Sequence, residues 1–402
     1  MKINSNLIRV LKLATWLFVA LVVLLLLVLP LLTSVMLKTG NLPIKYVQYL
    51  VNVEIAQAYL MMVLGCLWIF FLGSCFASFL NVVAWRTPRG RGINGSSHCP
   101  FCHNKLRFGD NLPIIGWLRN MGQCRDCRLP IAPRYLIVEF ILGAIFLAIC
   151  GLEILGGGLN LPFRELERLR GFEHLVFVPK WDLIQLSIFH LCLVCFLFAF
   201  ALIRSEGLKI PVSVFVAGIF AGVVLPLIWP AMLLVAWQLN SSELIPLNRF
   251  SIDQLLTMGV GLGVGLACGL LCTWGIRPES QVIEQNNRVE QSTFVADGLA
   301  AMALVGIFLG WQSGLSIALI ALCLSLISIQ IPGLAWLKRF NFSTRVLAAT
   351  IVHLATWRVT TELGIWPSQN ASVIVIAVAV IALGVVACAC RMRKIHSVST
   401  AV

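Results

Sequence analysis

The chain has 402 residues, 59% of them hydrophobic and only 12% charged, with 30 Lys and Arg against 17 Asp and Glu for a net charge of +13. So much apolar side chain excludes a water-soluble globule and a disordered chain, and leaves a polytopic membrane protein. The basic excess sits in short segments between apolar runs, which is the pattern of membrane orientation, so no nucleic-acid partner is expected.

The first apolar run, 13–36, follows Lys2, Arg9 and Lys12. It is too long for a signal-peptide core and no small-x-small cleavage site follows, so it is expected to be a retained anchor within an amino-terminal segment, 1–57. Further runs lie at 58–84, 135–156, 184–203, 211–237, 254–275, 294–311, 314–335, 345–366 and 371–391. Each approaches the roughly twenty residues that cross a hydrocarbon core of roughly 30 Å. The expected fold is therefore all-α, with about ten transmembrane helices and a small cytoplasmic zinc-binding loop. The pair 294–311 and 314–335 also reads as one helical hairpin, and 345–366 carries His353, Arg358 and Glu362. The run Gly259-Val-Gly-Leu-Gly-Val-Gly265 reads as close helix packing rather than a nucleotide loop.

Lys and Arg are retained on the cytoplasmic side, and Arg89, Arg91, Lys105, Arg107, Arg119, Arg125, Arg128 and Arg134 fill the loop after the second run. That places the loop 87–134 on the cytoplasmic face of the membrane. It contains Cys99-Pro-Phe-Cys102, then 21 residues, then Cys124-Arg-Asp-Cys127. Each Cys-x2-Cys pair supplies two ligands from one tight turn, so Cys99, Cys102, Cys124 and Cys127 are expected to hold a structural Zn2+ as four thiolates. A disulfide-stapled loop is the bland alternative, and His98 or His103 is an alternative ligand. Four thiolates leave no open position, so the metal is expected to clamp a loop too poor in apolar residues to build a core. The remaining ten of the 14 cysteines lie in or beside apolar runs and read as packing residues.

Several motifs around these cysteines occur in a fixed order. They are Ala77-Ser-Phe-Leu-Asn-Val-Val-Ala-Trp-Arg-Thr-Pro-Arg-Gly90, Ser97-His-Cys-Pro-Phe-Cys102, Asp110-Asn-Leu-Pro-Ile-Ile-Gly-Trp117, Gly122-Gln-Cys-Arg-Asp-Cys127 and Ile131-Ala-Pro-Arg-Tyr-Leu-Ile-Val-Glu139. This stretch resembles the amino-terminal region of the bifunctional type IV prepilin peptidases, membrane aspartic proteases. Two departures are His103, where a Gly usually follows the second cysteine, and Leu136 in place of a Pro. The resemblance implies a multi-pass enzyme that removes the leader of prepilins or pseudopilins and N-methylates the new terminus with S-adenosylmethionine. The apolar runs and the polar segments between them give an expected organisation: anchor 1–57, amino-terminal module 58–157 with its loop 87–134, peptidase-like bundle 184–335, and additional spans 336–402.

The same resemblance calls for two carboxylates, because one must activate water while its neighbour donates a proton. Aligned through Pro211, the first position holds Arg204, which does not act as a base; Glu206 lies two residues on. Aligned through Gly306, Gly310 and Trp311, the second position holds Gly298, with Asp297 one residue early. Asp297 is the catalytic candidate, and a helix N-cap is its alternative reading. Glu139, an ionisable group near the start of a span, is a functional candidate or a partner for Arg134 or Lys105. Two function classes follow: an enzyme processing prepilin-like proteins by leader cleavage, N-methylation or both, with cleavage in doubt, or a non-catalytic membrane scaffold that binds prepilins or assembly partners.

Overall fold

In the computed structural model the described residues are 52–167, 171–172, 175, 178–235, 252–276, 284–330, 340–364 and 373–399. The expected anchor at 13–36 and the outer loop that follows it lie outside them. The described elements are α1 (Asn52–Arg86), α2 (Ile115–Arg119), α3 (Arg134–Cys150), α4 (Trp181–Ser205), α5 (Val212–Ile228), α6 (Ile252–Gly275), α7 (Glu284–Gln330), α8 (Phe342–Glu362) and α9 (Val373–Ser399). Among the described residues no strand forms; two isolated antiparallel bridges, His98 with Lys105 and Gln123 with Pro130, are the nearest approach.

Among the described residues, six helical stretches are long and apolar enough to cross a membrane: Ala58–Arg89, Arg134–Leu155, Trp181–Ser205, Ile252–Gly275, Phe294–Ser328 and Ile374–Met392. Apart from 13–36, the expected runs that fall outside these six differ for physical reasons. The run 211–237 contains Pro226 and Pro230, and the helix ends at Ile228 with a 3-10 turn Pro230–Met232 behind it, leaving 17 residues. The described parts of the runs 294–311 and 314–335 are two helical arms joined at a break at Gly310 (φ 81°, ψ 178°), and since Gly265 lies against both Met302 and Gly314 the chain folds back there, as one helical hairpin. The run 345–366 does form a helix, α8, but its polar residues keep it out of the six.

The chain divides into two compact units. The first takes the described residues up to Ser78 together with Asn94–Gly151 and the described part of Arg168–Pro179. In it, α1 meets α3 through the ring pairs Phe70–Phe140 and Phe76–Phe146, each 5.4 Å between centroids. The cysteine loop belongs to this unit.

The second unit holds Phe79–Ile93, Leu152–Glu167 and the described residues from Lys180 onward. Its centre is α4 against α7, where Phe189 stacks on Phe308 at 4.5 Å. Helices α6 and α7 approach so closely that a Cβ on Gly261 would lie 2.1 Å from the Gly306 carbonyl oxygen, and one on Gly265 2.3 Å from that of Met302. Gly259 and Gly263 face open space, so alternate glycines of the run serve the packing. Asn341 starts α8 by accepting a hydrogen bond from the Thr344 N–H at 2.9 Å, while its amide donates to the Ala201 carbonyl at 3.1 Å and joins α8 to the end of α4.

Candidate functional site

The four cysteines come from two equivalent turns. In the first, the Cys99 N–H bonds the Asn104 carbonyl and the His103 N–H returns to the Cys99 carbonyl, both at 3.0 Å. In the second, the Cys124 N–H bonds the Leu129 carbonyl at 2.8 Å and the Arg128 N–H returns to the Cys124 carbonyl at 3.0 Å. Each turn closes by placing the residue after its second cysteine in the left-handed region, His103 at φ 58° and Arg128 at φ 59°. A side chain there costs roughly 1 kcal/mol, which explains why glycine suits that position.

The turns converge so that all four sulfurs lie within 4.8 Å of one another, with Cys99–Cys127 at 3.8 Å and Cys102–Cys124 at 3.9 Å. A tetrahedral zinc with Zn–S bonds of about 2.3 Å has edges of about 3.8 Å, so the donor set fits such an ion. Without a metal the thiols share the site unevenly. A backbone hydrogen bond from Cys102 helps pull Cys99 down to about 7. Cys102 receives a backbone hydrogen bond from Asn104, yet desolvation and the neighbouring sulfurs push it up to about 12. Both histidine alternatives stand aside: His98 lies near the Ser96 hydroxyl at 3.5 Å, and neither His98 nor His103 joins the four converging sulfurs.

A second layer braces the turns. Asp110 accepts from the Asn120 amide at 2.9 Å and pairs with Arg125 at 2.8 Å; burial opposes its charge, but these two partners hold its carboxyl below the usual carboxylate range. The Trp117 indole N–H donates to the Ile131 carbonyl at 3.3 Å. Glu139, buried near the start of α3, accepts the Ile114 N–H at 2.7 Å and bonds the Ser78 hydroxyl. Its partners are thus a backbone turn and a hydroxyl, rather than the expected Arg134 or Lys105. That turn is strained: Ile114 has φ 62° and ψ −56°, and the Ile115 N–H reaches back to the Pro113 carbonyl at 2.5 Å. No sequence rule flags a β-branched residue for such a conformation.

The peptidase-like positions lie in the other unit. Asp297 is buried and sits inside α7, thirteen residues after the helix starts at Glu284, so the N-cap reading fails. Arg204, near the end of α4, brings its Nε to 2.9 Å from Asp297 Oδ2. The approach is out of hydrogen-bonding alignment, so Oδ2 accepts no hydrogen bond and the attraction is charge on charge. The Ile210 N–H also bonds this carboxylate, and Lys209 adds a second positive charge. The first position where the resemblance calls for a carboxylate, Arg204, is therefore brought to Asp297, the residue before the second. Gly298 faces elsewhere: a Cβ there would meet Thr273 Cγ2 at 2.3 Å and the Phe342 ring at 3.2 Å, so no carboxylate fits at 298. Glu206 caps the end of α4.

Comparison with known proteins agrees with the amino-terminal motifs. Residues 71–152 match the Bacterial Peptidase A24 N-terminal domain. A prepilin leader peptidase/N-methyltransferase of Myxococcus xanthus is 41% identical over 86 residues, 21% of this chain and 26% of that protein. One from Klebsiella pneumoniae is 39% identical over 101 residues, 22% of this chain and 44% of that protein. A type 4 prepilin-like proteins leader peptide-processing enzyme of Escherichia coli is 36% identical over 94 residues, 19% of this chain and 35% of that protein. The matched segment thus spans less than half the length of each of these relatives. No solved structure matches. Through residues 71–152, the chain is similar to the amino-terminal domain of prepilin leader peptidases/N-methyltransferases.

Proposed function

We propose that this protein acts on prepilin-like substrates at the cytoplasmic membrane through its amino-terminal module, N-methylating termini cleaved elsewhere, and has lost leader cleavage. The observation that carries the reading is the 2.9 Å approach of Arg204 to Asp297. A carboxylate pair works because shared charge keeps one member protonated as the acid while the other activates water. A guanidinium supplies neither function. Asp297, one residue before the second dyad position, then has the first position, Arg204, as its counter-ion.

Cys99, Cys102, Cys124 and Cys127 would hold a structural Zn2+, closing a loop that has little core of its own. S-adenosylmethionine would supply the methyl group, as the names of the relatives suggest for those proteins. The loop's contribution is shape: Asp110, Asn120 and Arg125 fix one turn against the other, and Glu139 fixes the chain between them to α3.

The test is mass spectrometry of full-length protein in detergent with an intact and a pre-cleaved model prepilin, with and without S-adenosylmethionine. A mass gain of one methyl group on the pre-cleaved peptide, with the intact one untouched, supports the proposal. Cleavage of the intact peptide that vanishes in Asp297→Asn would instead restore the aspartate as catalyst. The charge-paired aspartate also favours a second reading, a scaffold that binds prepilins without chemistry, and binding without either product would establish it.

A further inference from the structure

A second polar centre is buried in the same unit as Asp297, about 21 Å from Arg204 along α4 at 1.5 Å per residue. Glu153 lies in the π-turn Gly151–Leu155 that ends α3, an irregularity common at functional sites. Its Oε1 is 2.7 Å from His190 Nδ1 and accepts from Asn160 Nδ2 at 3.1 Å. Glu153 is 0% exposed, His190 1%, Asn160 3% and Ser187 0%. An ionisable residue so enclosed among membrane-spanning helices demands a reason.

The donors and acceptors do not balance. Asn160 Nδ2 also donates to the Leu354 carbonyl at 2.9 Å, so both amide hydrogens are spent on acceptors and the amide cannot be turned around. That leaves Asn160 Oδ1, Glu153 Oε2 and, one turn before His190 on α4, Ser187 Oγ with no protein partner. The nearby cation is committed elsewhere: Arg358 bonds the Gly158 and Arg164 carbonyls and pairs with Glu362 at 3.1 Å. His353 is likewise occupied, with Nε2 3.0 Å from the Ser313 hydroxyl. What remains is oxygen, and oxygen ligands suit hard cations.

Charge sets the valence. Glu153 is the one carboxyl group among these oxygens, and its Oε1 faces His190 Nδ1 at 2.7 Å. One monovalent ion neutralises it, whereas a divalent ion would leave a net charge in a low-dielectric interior. We infer that Glu153 Oε2, Asn160 Oδ1 and Ser187 Oγ form a binding site for a monovalent alkali cation of the Na+ class, set beside irregular backbone at the π-turn as other membrane ion sites are. The site is separate from the cysteine loop and from Asp297, and it stands whether or not the proposed function does.

The experiment is thermal unfolding of the full-length protein in detergent as NaCl replaces choline chloride at constant ionic strength. An ion bound only by the folded state raises the midpoint saturably, here by roughly 2–4 °C. Glu153→Gln is expected to abolish the rise and Asp297→Asn to leave it intact. If Glu153→Gln does not fold, Ser187→Ala carries the test, because that hydroxyl has no partner to lose: the half-saturating Na+ concentration should increase several-fold. Equal midpoints in NaCl and choline chloride, an unchanged response in Glu153→Gln or Ser187→Ala, or loss of the response in Asp297→Asn overturns the site.

Discussion

The cysteine loop and the Arg204–Asp297 pair make opposite uses of the chain. The four sulfurs are drawn together by two short turns whose hydrogen bonds run between residues four and five apart. The ion pair is drawn together by the packing of α4 against α7, across nearly a hundred residues of intervening sequence. The first geometry depends on local backbone and survives changes elsewhere; the second depends on the rotation of a helix, where a one-residue shift turns a side chain by about 100°. Chemistry set by helix register is therefore easier to lose or exchange than chemistry set by turns.

The largest expected effect tests the local end of this contrast. Cys124→Ser removes one of four ligands; zinc content measured by plasma mass spectrometry should fall from about one per chain towards zero, with the loop becoming the first site of proteolytic cleavage. Structural zinc binding is worth on the order of 10 kcal/mol, so no loop contact compensates. Zinc content unchanged in Cys124→Ser would make the convergence of the sulfurs incidental.

Next comes the helix-borne pair. Arg204→Ala leaves Asp297 buried without its counter-charge and should destabilise the protein by about 3 kcal/mol, whereas Arg204→Leu combined with Asp297→Asn should come close to the parent. Equal losses in the single and double variants would show that the pair contributes through packing alone. Gly261→Ala should cost about 1–3 kcal/mol by pressing a methyl into the Gly306 carbonyl, and Gly263→Ala, which meets nothing, should cost less than 1.

The smallest effect is a pH dependence within the loop. Asp110 is held below its unfolded value, so its stabilisation is complete above the ordinary carboxylate range of about 4 and is lost as pH falls through the lower folded value. Limited proteolysis of the loop between about pH 6 and pH 3 should therefore accelerate on acidification, with Asp110→Asn already faster at pH 6 and less sensitive to the change. Identical profiles would remove Asp110 from the brace.

The legibility of each feature in the sequence follows the same division. The cysteine spacing is a statement about two turns, and the turns form as the spacing implies. Asp297 and Arg204 were visible as residues, but their meeting was not, because pairing depends on which faces α4 and α7 present to one another. The N-cap reading of Asp297 failed because Glu284-Gln-Asn-Asn-Arg, polar enough to pass for a linker, is helical and carries the start of α7 thirteen residues upstream. The Glu153–His190 pair lay inside two expected spans, where the cost of ionisable groups in lipid was the available signal. The strain at Ile114 had none, since nothing in an isoleucine announces a positive φ.

The break at Gly310 has a consequence for reading faces. Beyond it the chain turns back as a second helical arm, so a side chain's direction at Asp297 says nothing about the directions of Gln312, Ser313 or Ser316 farther along. A periodicity summed over Phe294–Ser328 adds two waves of different phase and cancels itself, giving a segment with two oriented halves the profile of one with no orientation.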